Sequence, residues 1–544
     1  MHFEIQQLGQ GFFALSRYAA VLWLAMLALG VVIAGIGVDL MEVDAAQYAS
    51  MGQEMNETGL WVQLHEHGAL YQSRGYPDKP PLVFWAAALG TKVLGATNAG
   101  AKIISVMVGL LGIWALGRWA SELLGPSAFW PALAFYGANV GMGLMLQDVR
   151  TDTLLVALVS LAGWQSQVWK RTGAWMPAML AFTFLGLAML AKGPLAFMAL
   201  TAALGGHALW NRDYRILRRA SFWGGLGLMI LILLPWLWGL YQQWGWDRGI
   251  RYYLWTQNFG RITGENPWAH RADYSFVLHN LLWTFLPWVV FLPSALIWAL
   301  RNPSRNRELS SMSLTAWTLL VVGLSISKFQ LPHYVYILWP FQALLITQWW
   351  IQAPPPRPLQ TVPWKLMSLL GLLCCMGVDY AWFGVPLATL VGSLGLVISW
   401  ALHGRNALWM GASALLLSLL VLNAFFYPKL LAYQASSRLG QWAADHDVAP
   451  SLQRMGCDNE SIHALHFYTH RVIPEWSAGS AIPGNSYIIY SSKACADSLR
   501  TLGMKVEPLQ EMPSIKVTRL SLSFLDPRTR NQQGTLSGIY RVVP

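Results

Sequence analysis

Long apolar stretches follow one another along most of the chain, and short polar turns separate them. Stretches of about 20 apolar residues predict helices that cross a bilayer. We predict thirteen such helices, at residues 17–38, 100–120, 127–146, 151–169, 175–191, 194–210, 220–243, 276–300, 312–326, 332–351, 366–383, 385–402 and 407–427. A further apolar stretch, 80–96, follows two prolines and contains Lys92, so we predict a helix lying on the membrane surface there. The pattern thus predicts an all-α membrane domain over residues 1–427.

The pattern changes over residues 428–544, which are mostly polar. Segment 434–446 predicts a helix, and alternating apolar residues in 486–490 and 517–524 predict strands. These features indicate a small α/β domain. It contains Cys457 and Cys495, which could pair only if this domain lies outside the cytoplasm.

Composition supports the membrane assignment. Of the 544 residues, 55% are apolar and 12% are charged, against about 25% charged in soluble domains. This excludes a water-soluble enzyme, and it excludes a nucleic-acid-binding protein despite the net charge of +11. The arginine-rich turns 212–219 and 301–307 are typical of cytoplasmic loops. We therefore expect a multi-pass membrane protein with its N-terminus cytoplasmic and residues 428–544 on the outer side of the membrane.

Two turns on the predicted outer face carry carboxylates. Asp44 follows the first span, with Tyr48 one helical turn later, and Arg150 and Asp152 lie between two other spans. A carboxylate at a membrane boundary is costly unless it is paired or used. Both acids are therefore candidates for chemistry. A simple pair of Arg150 with Asp152 or with Asp148, at the start of the following helix, is compatible with such a role.

The other outer turns carry cations. Lys192 lies alone between two apolar spans, Arg261 lies in a glycine-containing turn, and Lys328 precedes His333 and Tyr334. Lysine and arginine suit a phosphate, as a point charge and as a fork respectively. Because the surroundings are apolar, the expected ligand is a lipid phosphate. The alternative for Lys192 is a lysine that snorkels to the interface.

No motif in the sequence indicates a particular cofactor. His65-Glu66-His67 lacks the spacing of the HExxH zinc motif, and two histidines two residues apart share a face only on a strand. A divalent metal held by Asp44 stays open as an alternative to a proton-accepting or orienting role for this residue.

The order of these motifs resembles the GT-C superfamily of polyprenyl-phosphate-dependent glycosyltransferases. Within it, the chain resembles bacterial lipid A aminoarabinose transferases and protein mannosyltransferase-like proteins. The resemblance covers about residues 17–350, and the motifs that carry it are 44–48, 78–85, 150–152, 192–194, 258–264, 285–288 and 327–334.

The resemblance implies a fold in which loop 39–99 forms juxtamembrane helices above a cavity for the carrier phosphate. By position it implies two catalytic acids, Asp44 and Asp152, and four residues that face the carrier phosphate, Lys79, Lys192, Arg261 and Lys328. Four further candidates for substrate binding are Tyr48, Arg150, His333 and Tyr334. One departure is Ala45, since many family members have glutamate there. Glu42 could replace that carboxylate only if the local helix register allows it.

The resemblance implies transfer of a sugar from undecaprenyl phosphate to lipid A, another glycolipid, a glycan or a protein, by a monomer. It also implies a bacterial inner membrane, with the cavity and residues 428–544 on the periplasmic side. A ligase-like transferase of carrier lipids is one rival, and it would not require Asp44. A transporter of lipid-linked sugars is another, and it would need polar residues at the bilayer midplane and often inverted repeats. We find no internal repeat in the sequence.

Overall fold

Helices form nearly all of the chain up to Leu431. The structure is a computed structural model that describes residues 2–65, 75–265, 273–404, 406–456, 462–477, 479, 482 and 484–544. The longer α-helices of this part are His2–Gly37, Asp44–Thr58, Leu82–Leu94, Asn98–Leu124, Phe129–Gly137, Thr151–Thr172, Trp175–Lys192, Leu195–Asn211, Ala220–Gly245, Phe276–Thr284, Leu292–Arg301, Arg307–Ile326, Trp339–Gln352, Arg357–Val378, Leu387–His403 and Ala407–Val421. Shorter helical segments are Val140–Leu146, Trp246–Thr256, Gly260–Thr263, Trp288–Phe291, Pro332–Leu338, Asp379–Phe383, Leu422–Phe426 and Tyr427–Leu431.

Seven helices in the described part of the chain are long and apolar enough to cross a membrane. They are Tyr18–Gly37, Asn98–Leu124, Trp175–Lys192, Ala220–Thr256, Arg307–Ile326, Arg357–Phe383 and Ala407–Leu431, and two bent helix pairs raise the number to nine. The predicted number of thirteen is therefore not confirmed. The other predicted spans do contain helices, but these are shorter or, like Thr151–Thr172 with Asp152 and Lys170, more polar.

Two predicted spans are broken in the middle. The helix pair at 126–146 bends by 71°, and the pair at 276–301 bends by 118°. The two breaks contact each other, because Val140 N donates to Leu286 O (3.0 Å) and the Trp288 indole N–H donates to Ala138 O (2.5 Å). These bonds satisfy backbone groups that the breaks expose, as an apolar environment demands.

Two helices of the first long loop pack on each other beside the spans. Leu82–Leu94 has 13 residues, about 20 Å, which is too short to cross a bilayer core of about 30 Å. Its Phe84 meets Tyr48 of helix Asp44–Thr58 edge to face at 5.4 Å. Gly52 lies at their closest approach, where an added Cβ would come within 2.9 Å of the Ala87 Cβ atom.

The C-terminal region contains a four-stranded sheet, with β1 at Leu452–Arg454, β2 at Tyr487–Ser492, β3 at Lys505–Ser514 and β4 at Thr535–Val543. The strand order is β1-β2-β4-β3. β1 runs parallel to β2 with Leu452 opposite Ile488, and the other pairs are antiparallel, with Tyr487 opposite Val542 and Lys505 opposite Val543. The register shifts after Pro508 of β3, which is consistent with an edge strand since proline cannot donate to the ladder.

Both faces of this sheet are covered. Tyr490 and Ile539 pack in one buried cluster with Leu439 of helix Ala435–Asp445, while Ile489 and Tyr540 pack in another with residues of helix Lys493–Thr501. The alternation follows from the two-residue period of a strand. The predicted helix at 434–446 and strand at 486–490 are confirmed.

The predicted strand at 517–524 is wrong. Residues 517–520 form a turn, and Leu522–Leu525 is a short helix whose start is capped by the Ser521 hydroxyl, which accepts from Phe524 N at 3.2 Å. Val517 and Phe524 are buried, together with Val38 and Leu430 at the ends of other helices. The apolar alternation there reflects contact with these helix ends and not a place in the sheet.

Candidate functional site

A cavity of about 680 Å³ lies where the loop helices meet the ends of the membrane helices. Nine of the ten site residues predicted from the sequence line it: Asp44, Tyr48, Lys79, Arg150, Asp152, Lys192, Arg261, His333 and Tyr334. They come from six separate segments of the chain. The polar turns that the sequence placed on one face of the membrane thus converge on one space.

Asp44 stands at the first residue of its helix and projects into the cavity wall. One of its carboxylate oxygens accepts from Arg150 Nη1 at 3.1 Å, and the Asp44 side chain keeps 44% of its surface exposed. Arg150 also donates from Nε to Asp148 at 2.8 Å. Asp44 is therefore oriented by a guanidinium and is still accessible to a ligand.

Tyr48 lies below Asp44 and is buried. Burial, together with the nearby Asp44 carboxylate, raises the pKa of the Tyr48 phenol well above its usual value. The phenol therefore stays protonated, so it can donate a hydrogen bond and does not act as a base.

Lys192 and Asp152 form an ion pair in the floor of the cavity. Only 10% and 5% of their side chains are exposed, so the pair is largely desolvated. The Lys192 ammonium also lies 4.8 Å from the centre of the Tyr334 ring, a cation–π distance. This pairing explains why a lysine and an aspartate tolerate the membrane boundary, and it shows that Lys192 is not an isolated snorkelling lysine.

Arg261 presents its guanidinium between two aromatic rings. Its Cζ atom lies 4.9 Å from the ring centre of Phe329 and 5.5 Å from that of Tyr334. The guanidinium donates to the Tyr334 hydroxyl and, at 2.5 Å, to the Gln257 side-chain oxygen. Within the described residues no carboxylate pairs with Arg261, so its charge is not neutralised by the protein.

Lys79 is a second cation without a neutralising partner. The part of the chain that the structure describes provides neither a hydrogen bond nor an ion pair to its ammonium group. Burial lowers the pKa of Lys79 from the usual lysine value, and the positive charge of Arg261 contributes, whereas Asp78 opposes the shift. An ammonium that is partly desolvated and unpaired favours an anionic ligand.

Lys328 does not line the cavity. Its ammonium donates to the backbone oxygen of Thr263 at 3.0 Å, and its backbone N–H donates to Arg261 O at 2.7 Å. Gly264, at φ +90°, lies against the Lys328 side chain. The lysine therefore stabilises the turn that contains Arg261. Its position does not support a direct contact with a ligand in the cavity.

Asp78 is a cavity residue to which the sequence gave no role. It accepts hydrogen bonds from the Tyr252 hydroxyl (2.6 Å) and the Gln257 amide (3.0 Å), and Gln257 in turn holds Arg261. This network links the loop before Pro80 to the turn of Arg261. In the sequence, the only indication of a role for Asp78 is its position beside Lys79 and before two prolines. Its hydrogen-bond partners Tyr252 and Gln257 lie 174 and 179 residues away and could not be predicted.

One side of the cavity is apolar. It is lined by Leu195, Met198, Ile262, Leu319, Leu320 and Leu324, among others. Leu319 also lies 54% exposed on the outside of a candidate membrane span. The cavity therefore joins a charged region to an apolar wall that reaches the lipid-facing surface.

A smaller cavity of about 250 Å³ adjoins the first one. The two share Arg150, Asp152 and His333, and the smaller one adds Asp39 and Asp148. The shared residues form a charged partition between the two spaces.

The structure contains no group of three or more metal-ligating side chains within the residues it describes. Glu66 and His67 of the histidine motif lie outside those residues, as does Cys457. Cys495 is disulfide-bonded. Glu42 does not line the cavity, so the register does not place it as a second acid beside Asp44.

Comparison with known families supports the resemblance. The profile of dolichyl-phosphate-mannose-protein mannosyltransferases matches residues 78–238. The undecaprenyl phosphate-α-4-amino-4-deoxy-L-arabinose arabinosyl transferase of Erwinia tasmaniensis is 29% identical over 313 residues, 54% of this chain and 53% of that protein. The corresponding transferase of Pseudomonas aeruginosa PAO1 is 29% identical over 308 residues. The chain thus spans about half the length of the curated relatives it matches.

The fold is shared over almost the whole chain with a solved structure. ArnT from Cupriavidus metallidurans bound to undecaprenyl phosphate superposes with a TM-score of 0.72 at 17% identity, covering 96% of this chain and 97% of that one. The apo form of the same protein gives a TM-score of 0.69 at 18% identity. The chain therefore resembles the polyprenyl-phosphate glycosyltransferases and has an ArnT-like fold.

Proposed function

We propose that this chain is an integral membrane glycosyltransferase that moves a sugar from undecaprenyl phosphate to an acceptor at the membrane surface. The observation that carries the proposal is the cavity itself. In the same cavity lie Lys79 and Arg261, for which the described residues provide no carboxylate partner, and an apolar wall that reaches the lipid-facing surface. A phosphate attached to a long isoprenoid chain would match both features, because its charge suits the cations and its hydrocarbon chain suits the apolar wall.

The phosphate of the donor would lie between Lys79 and Arg261. As the acceptor attacks the anomeric carbon, the bond from that carbon to the phosphate oxygen breaks and the leaving phosphate gains charge. Preorganised cations in a water-poor site stabilise such charge without reorganising. Arg261 is preorganised by Phe329 and Gln257, which hold its guanidinium plane.

Asp44 would act on the acceptor. Its carboxylate is exposed, oriented by Arg150, and lies on the same cavity as the phosphate site. With a hydroxyl acceptor it would accept the proton, and with a phosphate acceptor such as that of lipid A it would only orient the nucleophile. In a direct displacement the anomeric configuration inverts.

The cavity faces the periplasm in this proposal. Helix Thr151–Thr172 carries Asp152 at the cavity end and Lys170 with Arg171 near the other end, about 27 Å away along the helix axis. Basic residues favour the cytoplasmic side, which supports a cavity on the opposite face. The disulfide of Cys495 supports the same side for the C-terminal domain, because disulfides persist in oxidising compartments.

The names of the matched relatives suggest the substrates. These names specify 4-amino-4-deoxy-L-arabinose linked to undecaprenyl phosphate. We propose the same type of donor here, with lipid A as the first acceptor to test. We further propose that the protein acts as a monomer in the bacterial inner membrane.

The test is transfer in proteoliposomes that contain the purified protein, the donor lipid and lipid A, with mass spectrometry of the products. Wild type should add one sugar mass to the acceptor, whereas Asp44→Asn and Lys79→Met should lose most of the activity. Lys92→Met is the matched control, since it removes the same charge from an exposed site in the neighbouring helix.

Each other result decides against a part of the proposal. Full activity of Asp44→Asn would favour a ligase-like transferase. Equal loss with Lys92→Met would show that general charge, and not the Lys79 site, matters. Movement of the donor lipid across the bilayer without any product would favour a transporter.

A further inference from the structure

The five residues before Asp44 are held by the C-terminal domain, although nearly 400 residues separate them in sequence. Residues 39–43 connect the first membrane helix to the helix that begins at Asp44. Two segments of the C-terminal region contact them. The first is Gln434 together with helix Ala435–Asp445, and the second is helix His463–Tyr468.

Glu42 makes the central contact. One of its carboxylate oxygens accepts from the backbone N–H of Ala464 at 2.7 Å and from the Ser436 hydroxyl at 3.3 Å. Its own backbone N–H donates to the Gln434 side-chain oxygen at 2.9 Å. Glu42 is only 9% exposed and Gln434 only 3%, so these bonds form away from water.

Leu40 is held in the same way. Its backbone N–H donates to the Tyr468 hydroxyl at 2.9 Å, and its backbone oxygen accepts from the Gln434 amide at 2.8 Å. The Tyr468 hydroxyl in turn donates to Asn98 at 2.6 Å. The domain therefore bonds to both main-chain groups of Leu40 and to the side chain of Glu42.

The membrane domain fixes the preceding residues from the other side. The Lys102 ammonium is fully buried and donates to the backbone oxygens of Val38 (2.5 Å) and Gly35 (3.1 Å). Two residues after Glu42, Asp44 meets Arg150. The direction of the Asp44 side chain thus depends on a short segment that is restrained at both ends.

We propose that Glu42 is a positioning residue through which the C-terminal domain holds Asp44 in the cavity. This rests on the proposed transferase function. Glu42 does not line the cavity, and its carboxylate serves as a hydrogen-bond acceptor that joins the domain to the segment before Asp44. The domain is then a part of the active-site framework and not only an appendage.

Three substitutions separate positioning from chemistry. Glu42→Ala removes the acceptor of the Ala464 and Ser436 bonds, so we expect kcat to fall about 10- to 100-fold with KM for the donor lipid changed less than about twofold. Glu42→Gln retains an oxygen in the same place and should keep at least about a third of kcat. Adding Glu42→Ala to Asp44→Asn should cause no further loss, because Glu42 acts through Asp44.

The matched control is Tyr380→Phe. It removes another hydrogen bond between a membrane helix and the C-terminal region, from the Tyr380 hydroxyl to Asp526 at 3.1 Å, which does not touch residues 39–44. Its kcat should equal that of wild type. Amide hydrogen exchange of residues 38–47 should accelerate in Glu42→Ala and stay unchanged in Tyr380→Phe, while protection of β2 shows that the domain remains folded.

The inference is overturned by wild-type kcat in Glu42→Ala, or by a Glu42→Gln variant as inactive as Glu42→Ala, which would point to carboxylate chemistry. It is also overturned if the losses of Glu42→Ala and Asp44→Asn multiply. If wild type itself transfers no sugar, the proposed function fails, and hydrogen exchange then decides alone whether Glu42 restrains residues 38–47.

Discussion

The Lys192–Asp152 pair allows a test that separates stability from catalysis. Both side chains are at least 90% buried, and Lys192 provides the only ion pair that Asp152 makes among the described residues. Replacing Lys192 by methionine keeps the length of the side chain but leaves the Asp152 carboxylate desolvated without its counter-ion. Among the described residues, the remaining donor to Asp152 is the Thr151 hydroxyl at 3.5 Å, which is too long to compensate.

The expected destabilisation is about 3–5 kcal/mol, the range found when one partner of a buried pair is removed. Removing both charges, with Lys192→Met and Asp152→Leu together, should restore most of that loss, because no unpaired charge remains. Catalysis should not recover. Lys192 lines the same cavity as Lys79 and Arg261, and loss of this preorganised cation should reduce kcat about 10²- to 10³-fold in both variants.

The free energy of unfolding can be measured by reversible titration in mixed detergent micelles, and kcat in the proteoliposome assay. If Lys192→Met unfolds within about 1 kcal/mol of wild type, the pair is not desolvated as the structure indicates. If the double variant is less stable than the single one, the reasoning about the unpaired carboxylate is wrong. If the double variant retains wild-type kcat, Lys192 has no part in catalysis.

Three other results are expected. Because burial lowers the pKa of Lys79, its charge is lost at a lower pH than for an ordinary lysine, so KM for the donor should rise as pH increases through that value, and Lys79→Arg should abolish this rise. Arg261→Lys should weaken binding of undecaprenyl phosphate about tenfold in a direct binding assay, since lysine lacks the planar fork held beside Tyr334. Gly52→Val should lower the free energy of unfolding by about 1–3 kcal/mol, because its Cβ would lie 2.9 Å from that of Ala87.

Part of the candidate site was predictable because of where polar residues occur in an apolar chain. Asp44, Asp152 and Lys192 interrupt apolar sequence at the ends of predicted spans, and the boundary of a membrane makes an unused charge costly there. The same argument failed for Lys328. Lys328 does lie beside a predicted span, but its ammonium donates a hydrogen bond to the backbone oxygen of Thr263. No periodicity in the sequence indicates such a contact.

The interior of the membrane domain was less predictable. The apolar stretches 127–146 and 276–300 have the length and composition of single spans, yet both bend sharply. Each break provides hydrogen-bond partners for the other: Val140 N donates to Leu286 O, and the Trp288 indole N–H donates to Ala138 O. Hydrophobicity gives the positions of apolar segments but not whether a neighbouring helix will supply partners for a broken backbone.

The sequence predicts a helical membrane protein with a polar C-terminal region, since these properties follow from local composition and periodicity. It also determined which residue types meet at the polar ends of the helices. The partners of these residues became visible in the folded chain. Arg150 pairs with Asp44 across 106 residues, Lys192 with Asp152 across 40, and Glu42 with Ser436 of the C-terminal region across 394. Such pairs depend on how helices pack side by side, and packing is set by three-dimensional contacts that leave no period in the sequence.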